Sequence, residues 1–161
     1  MNPKSMFYEF TRWMVAVAAV IALVAMFGSD PASDADPAEV TAAVTAQIDM
    51  TNMLEGDNRM IKRFYGLDPA NYEACYLYYP TTNMMAEELL IVKLRDVSQQ
   101  EAVKAAVEKR IQTQKNTFEG YGVEQFEMLS NNAVIEVRGN YILFVVNANS
   151  AAAQKAFLGA I

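Results

Sequence analysis

Any chemistry in this 161-residue chain must come from carboxylates, tyrosines and one thiol, because the sequence has no histidine and a single cysteine, Cys75. That composition excludes Ser-His-Asp and Cys-His catalysis, histidine-based zinc sites, an intramolecular disulfide and any CxxC motif. The adjacent Glu87 and Glu88 open an apolar stretch. Neighbours at the start of a strand point to opposite faces, so they form a poor catalytic pair and read as solvated charge. Cys75 sits among tyrosines without a nearby base or basic cluster to activate it, and reads as a small buried hydrophobe. The group Tyr76, Tyr78, Tyr79 has more potential, since amphipathic aromatics on a surface can stack on sugars or on partner side chains. Its blander reading is half-buried sheet filler, because tyrosine is favoured in strands.

Glycine occurs singly or as Gly120-x-Gly122, with neither a GxGxxG fingerprint nor a phosphate loop. The formal charge is -6, and residues 29–161 carry 11 basic against 18 acidic residues, 11 − 18 = −7. An acidic chain has no general attraction for phosphate backbones, so nucleic acid is not expected as a partner. No catalytic, cofactor-binding or metal-binding residue is assigned, and no cofactor is expected.

The elements that would position these groups are organised around a C-terminal hairpin. Ala133–Arg138 and Tyr141–Asn147 are rich in β-branched and aromatic residues and flank Gly139-Asn140, a strong signal for a two-residue turn. That turn sets Val137 opposite Ile142, Ile135 opposite Phe144 and Ala133 opposite Val146. Upstream, Tyr72–Tyr79 and Glu88–Arg95 read as two further strands. In the second of these, Leu90, Val92 and Leu94 share the core face, and Leu89, Ile91, Lys93 and Arg95 share the other. Ser98-Gln-Gln-Glu101 reads as a capping box for a helix bearing Val103, Val107, Ile111 and Phe118, with Gly120 and Gly122 as its stop. Asp36-Pro37 opens an earlier helix striped by Val40, Val44 and Ile48. After an irregular stretch from Asp49, Asp57 caps a short helix that Gly66 ends. A last helix covers Ala151 to about Ala160, capped by Asn149 or Ser150.

The order strand-strand-helix thus occurs twice. It predicts an α+β fold, a four-stranded antiparallel sheet built from two ββα units with helices on one face. The opposite face would then carry a mixture of apolar and charged side chains, as partner surfaces do. The candidate partner-binding residues are Tyr76, Tyr78, Lys93, Arg95, Arg138, Tyr141 and Leu143. The competing reading has the N-terminal helices folding over this face.

Ahead of the domain, Trp13–Phe27 is an unbroken apolar run of 15 residues. At about 1.5 Å per residue it reaches roughly 23 Å, short of a ~30 Å hydrocarbon core. The positions after it offer no A-x-A cleavage site, which favours an uncleaved anchor over a removed signal peptide. Basic residues precede the run and Asp30, Asp34 and Asp36 follow it, so the C-terminal part is expected outside the cell membrane. The expected layout is residues 1–28 as anchor or signal segment, 29–36 as a flexible tether and 37–161 as the extracytoplasmic domain. Secretion after cleavage is the alternative.

The segments Lys62–Leu67, Glu88–Leu94, Phe118–Gly122 and Ala133–Tyr141 occur in an order that resembles a bacterial domain-of-unknown-function family, the one numbered four-three-five-eight. The resemblance extends over about residues 37–160. It implies a small extracytoplasmic domain behind a lipoprotein signal or membrane anchor, with no established activity and no functional residue to carry over. This chain has no lipobox cysteine. The function expected is that of a non-enzymatic, membrane-tethered domain that binds another envelope protein or a surface polymer. The alternative is a carboxylate-dependent hydrolase of envelope glycans, which would need two acids converging in a cleft.

Overall fold

Gly139 and Asn140 do reverse the chain, with Gly139 at φ 53° and no positive φ at Asn140. Positive φ at the first central position suits Gly and matches the twist of the flanking strands. The resulting register is the one the turn dictates, Val137 opposite Ile142, Ile135 opposite Phe144 and Ala133 opposite Val146. A computed structural model of the chain describes residues 12–19 and 30–161. It divides into two units, Met1–Asp30 and Pro31–Ile161.

In the first unit, residues 12–19 are helical and exposed. Among the described residues no helix is long and apolar enough to cross a membrane. The expected anchor runs through residue 27, so much of it lies outside the described residues.

The second unit is an α+β domain. Its elements in order are α1 (Pro37–Thr45), β1 (Met53–Gly56), α2 (Asn58–Tyr65), β2 (Ala74–Pro80), β3 (Glu88–Lys93), α3 (Gln100–Phe118), α4 (Val123–Asn131), β4 (Ala133–Arg138), β5 (Tyr141–Val146) and α5 (Ser150–Ala160). All pairings are antiparallel, and the sheet order is β1-β2-β3-β5-β4. Five strands replace the expected four, because the irregular stretch before Asp57 adds Met53–Gly56 to the edge of β2. The α4 helix is also additional: Gly120 and Gly122 end α3 as expected, but a new helix starts at once rather than the hairpin.

Helices cover both faces of the sheet, not one. On the first face Leu77, Leu90, Val92, Ile142, Phe144 and Val146 pack against Ile61 and Tyr65 of α2, Val103, Val107 and Phe118 of α3, and Leu129 of α4. On the second face Leu89, Ile91, Tyr141, Leu143 and Val145 pack against Val40 and Val44 of α1, Ile48, and Ala153 and Phe157 of α5. The cause is visible in the central strands. Every residue of β3 and β5 is buried, so neither face can be left to water.

Local signals account for most boundaries. Asp36 accepts from the Ala38 N–H and Pro37 opens α1. Asp57 accepts from the Met60 N–H, and Gly66 at φ 69° closes α2. The capping box expected at Ser98 lies two residues earlier: Asp96 and Gln99 cap each other's backbone across a short 3-10 turn, Val97–Gln99, that leads into α3. The segment expected as a flexible tether is docked from Pro31 onward. The Ser33 N–H donates to Asn140 Oδ1 at 2.7 Å, and Tyr141 Oη donates to the Ala35 carbonyl at 2.6 Å. The approach is close enough that a Cβ on Gly139 would stand 2.1 Å from the Pro31 carbonyl oxygen.

Burial of both faces has a direct consequence. Leu143 and Phe144 are 0% and 1% exposed on opposite faces. Leu143→Ser and Phe144→Ala should therefore each cost about 3–5 kcal/mol in denaturant unfolding of the full chain. A Leu143→Ser variant within about 1 kcal/mol of the parent would mean that the second face is open. Asp96→Ala should lower the unfolding temperature while Ser98→Ala leaves it unchanged, and the reverse result would return the cap to Ser98.

Candidate functional site

A carboxylate opens one of the two fully buried strands. Glu88 shares its side of β3 with Leu90 and Val92, and is 1% exposed beneath α2 and α3. Burying a charge is costly unless it is paired and hydrogen-bonded, and Glu88 gathers three partners. Arg110 of α3 donates from Nε at 3.1 Å to Oε1 and 3.2 Å to Oε2, and from Nη2 at 2.7 Å to Oε2. Gln114, one helical turn further, donates to Oε2 at 3.0 Å. The Tyr65 hydroxyl, at the end of α2, donates to Oε1. Burial first, and then the charge of Glu88, holds the Tyr65 hydroxyl well above its ordinary pKa, so it stays a neutral donor.

This network fixes a guanidinium at the wall of a cleft. The Arg110 side chain is 14% exposed and its Cζ lies 4.1 Å from the centre of the Phe64 ring, a cation-π contact. Phe64 in turn meets Tyr79 edge-on, at 5.5 Å between ring centres. The cleft holds about 380 Å³ between α2, α3 and the turn after β2, with Arg63, Phe64, Tyr79, Arg110, Gln114 and Thr117 in its wall. Among the described residues, Arg110 Nη1 and the whole guanidinium of the exposed Arg63 have no protein hydrogen-bond partner. A second hollow of about 460 Å³ adjoins it through the shared residues Arg63 and Tyr79, and is also lined by Glu55, Asp57, Arg59 and Met60.

The residues expected at a partner surface lie elsewhere. Leu143 and Tyr141 are fully buried under α1 and α5, with the Tyr141 ring edge-on to Phe157 at 6.2 Å. Lys93 is buried too, its ammonium bonded to Glu73 at 2.9 Å and the Ala35 carbonyl at 3.1 Å. Desolvation pulls its pKa down, and the Glu73 carboxylate with Tyr141 more than reverses this, leaving it raised. Lys93 and Tyr141 thus meet at Ala35, where they hold the 31–36 segment. Tyr76 and Tyr78 are half-buried filler of the same face. Arg95 and Arg138 are exposed, Arg95 donating to the Tyr72 carbonyl and Arg138 to Glu136. The open surface expected on this face is covered, because the N-terminal and C-terminal helices fold over it.

Sequence reasoning missed Tyr65, Glu88, Arg110 and Gln114. The signal was parity: Glu88 shares a face with Leu90, Val92 and Leu94, the face read as core, and a carboxylate there must be paired. Arg110 and Gln114, four apart on α3, supply the pairing. Tyr79 is the one member of the tyrosine group that reaches the cleft.

The sequence model of the family described as Domain of unknown function (DUF4358) matches residues 46–147. The chain belongs to this family. The match starts after α1 and ends before α5, narrower than the 37–160 read from the motifs, and it includes the whole sheet, the Glu88 network and the cleft. No curated protein and no solved structure shows significant similarity to the chain.

Two measurements probe this arrangement. Glu88→Gln removes the charge that compensates Arg110 and should cost about 3–5 kcal/mol in denaturant unfolding. A cost under about 1 kcal/mol would mean that the pair is solvated. Burial pushes the Cys75 thiol up to about 12, so at pH 8 its thiolate is scarce while the chain is folded. Alkylation by iodoacetamide should be much slower in the native chain than in denaturant, and equal rates would contradict the burial.

Proposed function

We propose that this member of the DUF4358 family is a non-enzymatic, membrane-tethered extracytoplasmic domain that binds another component of the bacterial envelope, a protein or a surface polymer, through the Arg63–Tyr79–Arg110 cleft. One observation carries this reading. A buried carboxylate fixes Arg110 against an aromatic wall, with donors left over beside a second, unpaired arginine. Preorganised donors next to half-buried aromatic rings are what a binding site needs, since little ordering remains to be paid for on association. The buried carboxylate behind the cleft, Glu88, is spent on Arg110, Gln114 and Tyr65, which supports a positioning role for it rather than one as acid or base. The cellular address rests on the apolar run of residues 13–27 and the charges that flank it.

The alternative is hydrolysis of envelope glycans, and Glu55 and Asp57 in the adjoining hollow are the pair it would use. Against it, Asp57 is already engaged as the α2 cap and as the partner of Arg59.

Co-sedimentation of the full chain with purified bacterial envelopes tests the reading, with and without protease stripping to separate protein from polymer. Binding should be lost in Arg63→Ala and Tyr79→Ala and kept in Glu55→Gln. Arg63- and Tyr79-independent binding would place the site elsewhere, and glycan release that requires Glu55 would favour the hydrolase. Mass spectrometry of the membrane fraction should find the intact N-terminus. Recovery only of a soluble form beginning between residues 29 and 40 would remove the tether.

A further inference from the structure

We infer that the group recognised by the cleft is a compact oxyanion, a carboxylate or phosphate carried on a small or otherwise neutral scaffold. This rests on the binding reading above and names its ligand chemistry. The wall of the cleft contains two arginines and no aspartate or glutamate among the described residues, in a chain whose formal charge is -6. Glu88 lies behind Arg110 and fixes the edge formed by Nε and Nη2. Nη1 and the second N–H of Nη2 are left for a ligand, and this end of the planar guanidinium suits the paired oxygens of a carboxylate or phosphate. Arg63 adds a positive charge that makes no ion pair among the described residues.

Size and field both argue for a compact anion. A volume of about 380 Å³ falls within the range of small-molecule sites. Glu88 already compensates the charge of Arg110, so the uncompensated positive charge in the wall is that of Arg63. A single compact anion matches it, whereas a dense polyanion lying along the surface also meets Glu55, Asp57 and the acidic remainder. The Phe64 and Tyr79 rings in the wall supply apolar contact for the scaffold that carries the anion.

The test is a titration of the full chain at constant ionic strength with inorganic phosphate and, separately, with benzoate, following the arginine Nε–Hε resonances of Arg63 and Arg110. At least one probe should shift both resonances saturably, and Arg63→Ala should weaken that binding about tenfold while leaving the unfolding transition in place. Saturation by phosphate alone assigns a phosphate-bearing ligand, and saturation by benzoate alone a carboxylate. Saturation by neither, or an affinity unchanged in Arg63→Ala, overturns the inference. If envelope binding stays dependent on Arg63 and Tyr79 while both probes fail, the cleft binds a neutral ligand and only the oxyanion assignment falls. If envelope binding is absent as well, the binding reading falls with it.

Discussion

A buried carboxylate cannot be left without partners, and Glu88 imposes that requirement at the first residue of a fully buried strand. Meeting it draws the last residue of α2 and the middle of α3 to one point above the sheet. The helices that close the first core are therefore positioned by apolar contact and also by a directional pair with no slack in its geometry. Arg110 is held on one edge by Glu88 and on its face by Phe64, and what remains of it lines the cleft. Structure and candidate function thus share one side chain. Replacing such a pair with apolar residues often costs nothing in stability, so its presence calls for a reason beyond stability, and a fixed guanidinium at a cleft is one.

The other face of the sheet follows a different logic. Its cover, α1 and α5, comes from the two flanks of the domain and lies outside the stretch matched by the family. The two helices pack on each other as well as on the sheet. The segment leading into α1 is tied down by Asn140, Tyr141 and Lys93, so the chain is attached to the domain at the hairpin turn. The sheet, the first-face helices and the cleft are common to the family match, while the second-face cover is supplied from beyond it.

Much of this was legible in the residues. Gly139-Asn140 set the hairpin register because a two-residue turn admits few backbone solutions, and Asp57 and Gly66 bounded α2 because each meets a specific need of a helix end. β1 was illegible: four residues, MLEG, are too few to show alternation, and only pairing with β2 defines them as a strand. α4 was hidden by Gly120 and Gly122, which read as a stop signal and do not reveal that a second helix begins at once. Lys93 and Tyr141 on the second face suggested exposure because charge and hydroxyl usually do. Both are buried because a backbone carbonyl, that of Ala35, satisfies them. The cleft could not be read at all, since it joins residues from α2, β2 and α3 that only the tertiary fold assembles.

The central claim is that Arg110, held by Glu88, serves recognition rather than stability. The triple replacement Tyr65→Phe, Glu88→Leu and Arg110→Met removes the network without leaving any of its charges buried and unpaired. Measured on the full chain, it should unfold at a temperature close to that of the parent yet fail to bind envelopes. A triple variant that binds as well as the parent would contradict the account, because the network would then have no part in recognition.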